Sequence, residues 1–167
     1  MLRLNTDWRD IRRIISILND ADHSDQVKTQ ACLEIFVDNY EDITDAQSAL
    51  EMLFRFIDCG ERNAGGNAPK EIDWDIDFGA IISDVNKIAP VVDIRACEYM
   101  HWFTFISYFH AIEEGNLTYR VGIRKKLRKG EKLTPEEQDW VKQNPDKAYL
   151  SGRGPGKHED DDFIIGK

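Results

Sequence analysis

The stretch that most constrains the fold of this chain runs from Cys97 to Ile112: Cys-Glu-Tyr-Met-His-Trp-Phe-Thr-Phe-Ile-Ser-Tyr-Phe-His-Ala-Ile. On a helix turning about 100° per residue, Trp102, Phe105, Ile106 and Phe109 share one narrow stripe. Tyr99 and Phe103 flank it on one side, Tyr108 and Ile112 on the other. The remaining side receives Cys97, Met100, Thr104, Ser107 and Ala111, none of them charged. A helix this apolar around its circumference belongs in the middle of a bundle. It is too short and too polar at its ends for a bilayer, which takes about 20 apolar residues. The stretch predicts an all-α domain around a central aromatic helix, and no membrane partner.

The flanking sequence agrees. Thr6 or Asp7 can cap a first helix with Trp8, Ile11, Ile15 and Leu18 on one face and Arg9, Asp10, Arg12 and Arg13 on the wet side. Ser24 can cap a second, through Val27, Ala31, Leu33, Ile35 and Phe36. Thr44 with Gln47 makes a capping-box pattern for a third, which Gly60 closes. Asp73 is placed to cap a fourth helix, broken at Pro90, and Asp93 to cap the aromatic one. Residues 117–128 predict a further helix despite Gly122. Thr134-Pro135-Glu136-Glu137 marks another start, with a stop near Asn144-Pro145. No stretch alternates with period two. The expectation is a compact bundle of about six or seven helices in one domain, residues 1–150. A mobile loop is expected near 61–71, and a flexible acidic tail over 151–167.

Charge is unevenly placed. The net is −9, but residues 1–116 carry 10 basic and 22 acidic side chains, whereas residues 117–157 carry 11 basic and 5 acidic. Three separated cysteines without framework spacing read as reduced thiols, and the first residues contain no apolar run of a signal peptide. Both predict a soluble intracellular protein.

Several groups invite a chemical reading. Asp73, Asp75 and Asp77 copy the start of a calcium loop, but Phe78 stands where glycine is needed and Asp84 where the closing glutamate belongs, so the set is incomplete. Cys97 and His101 at i, i+4 give two of the four ligands a structural zinc needs. Glu98, on the same stripe as Trp102, reads as a functional acid or as a partner for an arginine. No nucleophile has a catalytic context, so no enzyme activity, cofactor or metal is expected. The basic run Arg120, Arg124, Lys125, Lys126, Arg128 and Lys129, with Lys132 beyond it, is the candidate partner-binding surface. Its alternatives are phosphate contact, which the acidic remainder disfavours, and a seat for the chain's own carboxylates. Residues 160–165 read as solvated disorder or as a short docking peptide.

Three segments resemble the gp-fifteen family of tailed-phage proteins. Asn5-Thr6-Asp7-Trp8-Arg9 is similar to its early Asp-aromatic-Arg element, and Glu71 through Asp77-Phe78 to its acidic-aromatic helix start. Met100-His101-Trp102-Phe103 through Phe105, followed by Arg124-Lys125-Lys126, is similar to its most distinctive element. The resemblance implies that Asp7, Trp8, Arg9, Asp77, His101, Trp102 and Phe105 are structural motif positions and that no catalytic residue carries over. It also implies a role in assembling the tails of long-tailed phages of Gram-positive bacteria. There the protein would act as a chaperone in the host cytoplasm, not retained in the mature virion. Its partners would be the tape-measure protein, the tail tube protein, another tail assembly chaperone, or a second copy of itself. Two other functions fit the composition: an acidic inhibitor docking on a host protein, and a nucleic-acid-binding accessory using residues 117–132.

Overall fold

Most helices of this chain begin where the sequence supplies an acceptor for their first N–H groups. The computed structural model describes residues 1–60 and 70–150. Asp7 accepts from the Arg9 amide and opens α1, Trp8–Asn19; Ser24 does the same for α2, Asp25–Phe36. Asp45, not Thr44, caps α3 over Ala46–Ile57, because its carboxylate takes both the amide and the hydroxyl of Ser48. Helix α4, Phe78–Val85, starts later than predicted: Asp73 accepts from Asp75 and Ile76 and so caps the turn that precedes it. Then come α5, Trp102–His110; α6, Asn116–Lys129; α7, Pro135–Gln143; and the single turn α8, Pro145–Ala148. Thr134 and Glu137 form the expected capping box of α7. Short 3₁₀ turns lie at Tyr40–Asp42 and Ile94–Ala96. Among the described residues the only extended pairing is two isolated bridges. The fold is all-α.

The aromatic stretch differs from its prediction. Asp93 caps the 3₁₀ turn by accepting from Arg95, the backbone then runs extended, and α5 begins only at Trp102. His101, in β conformation, caps it through Nδ1, which accepts the Phe103 amide at 3.1 Å. The cause is a long-range pairing between two helix starts. The Trp8 amide donates to the Met100 carbonyl at 3.0 Å, and the Trp102 amide donates to the Thr6 carbonyl at 2.8 Å. First-turn amides have no partner inside their own helix. Here α1 and α5 each satisfy one for the other. Such pairing needs residues 97–101 out of helical conformation, so Cys97 and His101 do not share a helical face and Glu98 is off the Trp102 stripe. Glu98 is exposed, and its carbonyl accepts from Arg9.

The principal packing order is a series: α3, α2, α1, α5, α4, α6, α8, α7. Helix α5 therefore joins an N-terminal trio to a C-terminal group. At the join, Phe105 stacks on Trp8 with centroids 4.6 Å apart and on Trp102 at 5.6 Å. All three rings are about 1% exposed, within a core that includes Ile11, Ile14, Phe36, Leu53, Ile81 and Val85. Trp102 also donates its indole N–H to the Ile57 carbonyl at 3.0 Å, closing the end of α3. Beyond that point Cys59 and Gly60 both take positive φ, so the chain leaves its helix one residue before the expected glycine.

Helix α5 is not buried all round. Phe103 is 40% exposed, and Thr104, Ser107 and His110 also face outward. Residues 61–69 and the segment 151–167, where a loop and a tail were expected, lie outside the described residues. Lys70 and Glu71, the end of the expected loop, are held in ion pairs.

Candidate partner-binding surface

The basic run lies on α6, and its residues divide by what they touch. Arg124 is not at the surface. Its side chain is 5% exposed and forms a two-pronged pair with the fully buried Asp77, at 2.6 and 2.8 Å. Its remaining N–H groups donate to the carbonyls of Glu71 and Lys147. All five donors of the guanidinium are thus used, which is the condition under which a buried charge is tolerated. Arg120 donates to the same Asp77 at 3.2 Å. Arg124 is therefore buried rather than presented at the surface, and with the partly buried Arg120 it ties α6 to the start of α4 and to α8. The sequence held a signal for this. Leu117, Val121 and Arg124 are i, i+4 and i+7, so the arginine falls on the apolar stripe.

The outer cations are seated on carboxylates of the same chain. Lys125 and Arg128 share Glu71, at 3.0 and 2.7 Å, and the Arg128 and Lys125 hydrogen bonds hold that carboxyl below its ordinary range. Lys126 pairs with Glu137 at 2.7 Å, and Lys129 lies 3.7 Å from Glu131. Lys125, Arg128, Lys129 and Lys132 remain accessible. One carboxylate serving two cations leaves this end of α6 positive. Most of its charge is still matched internally, so it offers no long unpaired track for a phosphate backbone.

The start of α6 is capped from another helix. Gly115 has no side chain to offer, and the 1% exposed Asp84 of α4 accepts the Leu117 amide at 2.7 Å. Burial pushes the Asp84 carboxyl up, but the amides of Leu117 and Asn116 and the Lys87 ammonium outweigh it and hold it below its ordinary value. A Cβ on Gly115 would collide with that carboxylate, which explains the glycine. Neither Asp84 nor Glu71 was singled out from sequence as a structural partner, since nothing local marks a carboxylate that serves a helix dozens of residues away.

The motif positions build the join. Asp7 holds Arg9 through both oxygens, and Arg9 reaches on to the carbonyls of Cys97 and Glu98. Burial pushes the Asp7 carboxyl up; the bonds from Arg9 and from the Met100 amide prevail and hold it low. Trp8, His101, Trp102 and Phe105 complete the join as described, whereas Asp77 lies with Arg124. Asp73, Asp75 and Asp77 do not converge: they face Lys70, Arg12 and Arg124 respectively.

Besides a cleft of about 350 Å³ between the N-terminus and α3, two clefts of the described residues meet along α5. A larger one, of about 530 Å³, has walls from Trp74, Trp102, Phe103, Ile106 and Phe109 with Ile57 at its end. A second, of about 320 Å³, is lined by Ile72, Phe109, Ile112, Leu117, Val121 and Gly122, with Lys125 at its rim. Phe109 is common to both. No family model, no curated protein and no solved structure matches this chain. What the surface can do therefore follows from its own geometry. Together the clefts form an aromatic seam along α5, flanked by exposed Phe103 and bounded by cations of α6. Such a seam suits an apolar helix face or an extended apolar peptide.

Proposed function

We propose that this chain is a non-enzymatic tail assembly chaperone of a long-tailed phage, holding an apolar stretch of the tape-measure protein along the α5 seam. The observation that carries the reading is the seam itself: an aromatic-walled cleft that also carries Asp58, Ser107 and His110, and a mainly apolar one, the two sharing Phe109 beside a Phe103 that is 40% exposed. Helices dock in such grooves through anchors spaced i, i+3 or i+4, and i+7. Tape-measure proteins enter the reading through the resemblance carried by Asp7-Trp8-Arg9, Asp77 and His101-Trp102. The tail tube protein, a second tail assembly chaperone and a further copy of this chain are subsidiary partners. The protein works in the host cytoplasm and leaves before the virion is complete. Of the basic run, Lys125, Arg128 and Lys129 are available to steer an acidic client, because rim charges chiefly raise association rates.

Co-expression with the tape-measure protein tests this. The parent chain is expected to keep that protein soluble and to co-purify with it. The double variant Phe103→Ser with Ile106→Ser should stay folded, melting below the parent because Ile106 packs against the core and Phe103 stacks on Phe56, and should lose the client. Failure of the parent to retain the tape-measure protein, or undiminished retention by the folded variant, overturns the proposal.

A further inference from the structure

The two clefts of the seam carry opposite charges. In the lining of the first, Asp58 is the single fully charged side chain. It is exposed, and among the described residues its carboxylate makes no hydrogen bond or ion pair. It is also the C-cap of the 12-residue α3, and a helix ends in partial negative charge. In the lining of the second cleft, Lys125 is the single charged side chain. Its ammonium lies 3.0 Å from Glu71, which Arg128 also holds at 2.7 Å, so this end keeps a positive excess. The exposed face of α5 between them, Phe103, Thr104, Ser107 and His110, has no carboxylate, lysine or arginine.

These charges stand at opposite ends of α5. Trp102 opens the helix and donates to the Ile57 carbonyl, beside Asp58, so the acid lies at its N-terminal end. The second cleft starts at Phe109 and continues past Ile112, so the cation lies beyond its C-terminal end. From Trp102 to Ile112 is about 15 Å at 1.5 Å per residue, which a facing helix covers in about ten residues. A helix matching both charges needs an acid at one end and a cation at the other. Lying antiparallel to α5, it carries the acid near its own N-terminus and the cation near its own C-terminus, as its dipole favours. The parallel direction puts both charges at the wrong ends. Beside Asp58 the wall holds the half-buried Trp74, with Phe109 5.1 Å away. Such rings attract cations, and a guanidinium stacks flat on them where an ammonium stays hydrated.

We infer that the seam selects and orients a helical segment by charge. The segment lies antiparallel to α5, with a carboxylate against Lys125, apolar side chains over Phe109, and an arginine between Asp58 and Trp74. The inference rests on the seam being the client groove proposed above, and adds the direction and signature of what docks there. Acid, two apolar anchors and arginine spaced i, i+4, i+7 and i+11 fall on one helical face.

A synthetic peptide with glutamate, leucine, leucine and arginine at those spacings, on an alanine-glutamine background, tests this. A benzophenone beside its arginine reports direction when the peptide is irradiated with the intact chain at low salt. Crosslinks should map by mass spectrometry to the Asp58 end, at Ile57 and Phe103. In the double variant Asp58→Arg with Lys125→Glu, both exposed positions, the chain should melt near the parent and the crosslinks should move to Ile112 and Val121. Norleucine in place of the peptide's arginine should weaken binding to the parent by about threefold to tenfold. The same replacement should make little difference to Asp58→Asn. Absence of peptide binding, crosslinks spread over the surface, or a pattern unchanged in the double variant overturns the inference. The peptide owes nothing to the tape-measure protein, so the two readings fail separately. Oriented peptide binding without tape-measure retention overturns the function proposed above and leaves the charge reading standing. Retention of the tape-measure protein with an unoriented peptide does the reverse.

Discussion

The two sides of α5 solve the same problem by opposite means. Toward α1, two helix starts meet and exchange backbone hydrogen bonds, Trp8 to Met100 and Trp102 to Thr6, under a stack of three aromatic rings. Toward α6, buried carboxylates do the work. Asp84 caps a helix that lacks its own cap, and Asp77 holds an arginine that reaches three separate segments. The first arrangement tolerates a change of ring as long as the backbone meets. The second fails when either charge loses its partner, because an unpaired buried ion is far costlier than a lost contact. The α1 side is thus held by backbone pairing and ring stacking with one carboxylate, Asp7, at its edge, and the α6 side chiefly by buried matched charge.

The strongest way to break that contrast is Arg124→Ala, which leaves Asp77 buried and alone. Loss of about 3–5 kcal/mol is expected, measured by urea unfolding. Arg124→Lys should recover only a minor part, since an ammonium cannot reproduce the five-donor fork. Gly115→Ala pushes a methyl group into the Asp84 carboxylate and should cost about 1–3 kcal/mol in the same assay. On the aromatic side, Trp102→Phe keeps a ring in the stack but gives up the bond to the Ile57 carbonyl, for about 1–2 kcal/mol. A larger loss at Trp102→Phe than at Arg124→Ala would invert the comparison.

Acid sharpens it. Asp7 and Asp84 have folded values below the ordinary 3.8, so they bind protons less readily folded than unfolded. The stability they contribute is complete above about pH 4 and is lost as pH falls through their depressed values. Melting temperatures between pH 7 and pH 3 should fall mainly below pH 4, and Asp84→Asn should flatten that limb. A melting temperature still level at pH 3 would remove the charged half of the argument. The smallest effect is expected at Lys129→Glu, within about 0.5 kcal/mol of the parent, because its pair with Glu131 is long and exposed.

The same contrast explains what could be read before any coordinates. Asp7, Ser24 and Thr134 cap their helices through neighbours two or three residues away, so local order revealed them. Trp8, Ile11 and Ile15 are buried as their spacing requires. The start of α5 was misplaced because Tyr99 and Met100 continue the helical spacing, while the event that ends it is a hydrogen bond to a residue more than 90 positions earlier. Arg124 reads as surface because it stands in a run of lysines and arginines, although its register with Leu117 and Val121 points inward. Helix α7 also carries a lesson about strength of signal. Its start is the clearest in the chain, yet it buries no residue fully, since capping fixes where a helix begins and not how deeply it lies. The seam was invisible from sequence: Phe103 and Phe109 read as core, and only the packing order leaves their outer faces open.

The meeting of Asp7 with Met100 across 93 residues also bears on how the chain is made. At about 5–20 residues per second, α1 leaves the ribosome roughly 5–20 s before its counterpart exists. During that interval the Trp8 indole face has no Phe105 to cover it, and the Trp8 amide has only water to bond. Helices α1, α2 and α3 can gather early, since their contacts are local, but the α1 face that later meets α5 stays open until α5 arrives. Synthesis therefore passes through a half-built stage with an aromatic edge in solvent, and translation speed over codons 40 to 100 should influence how much of the protein reaches its folded state.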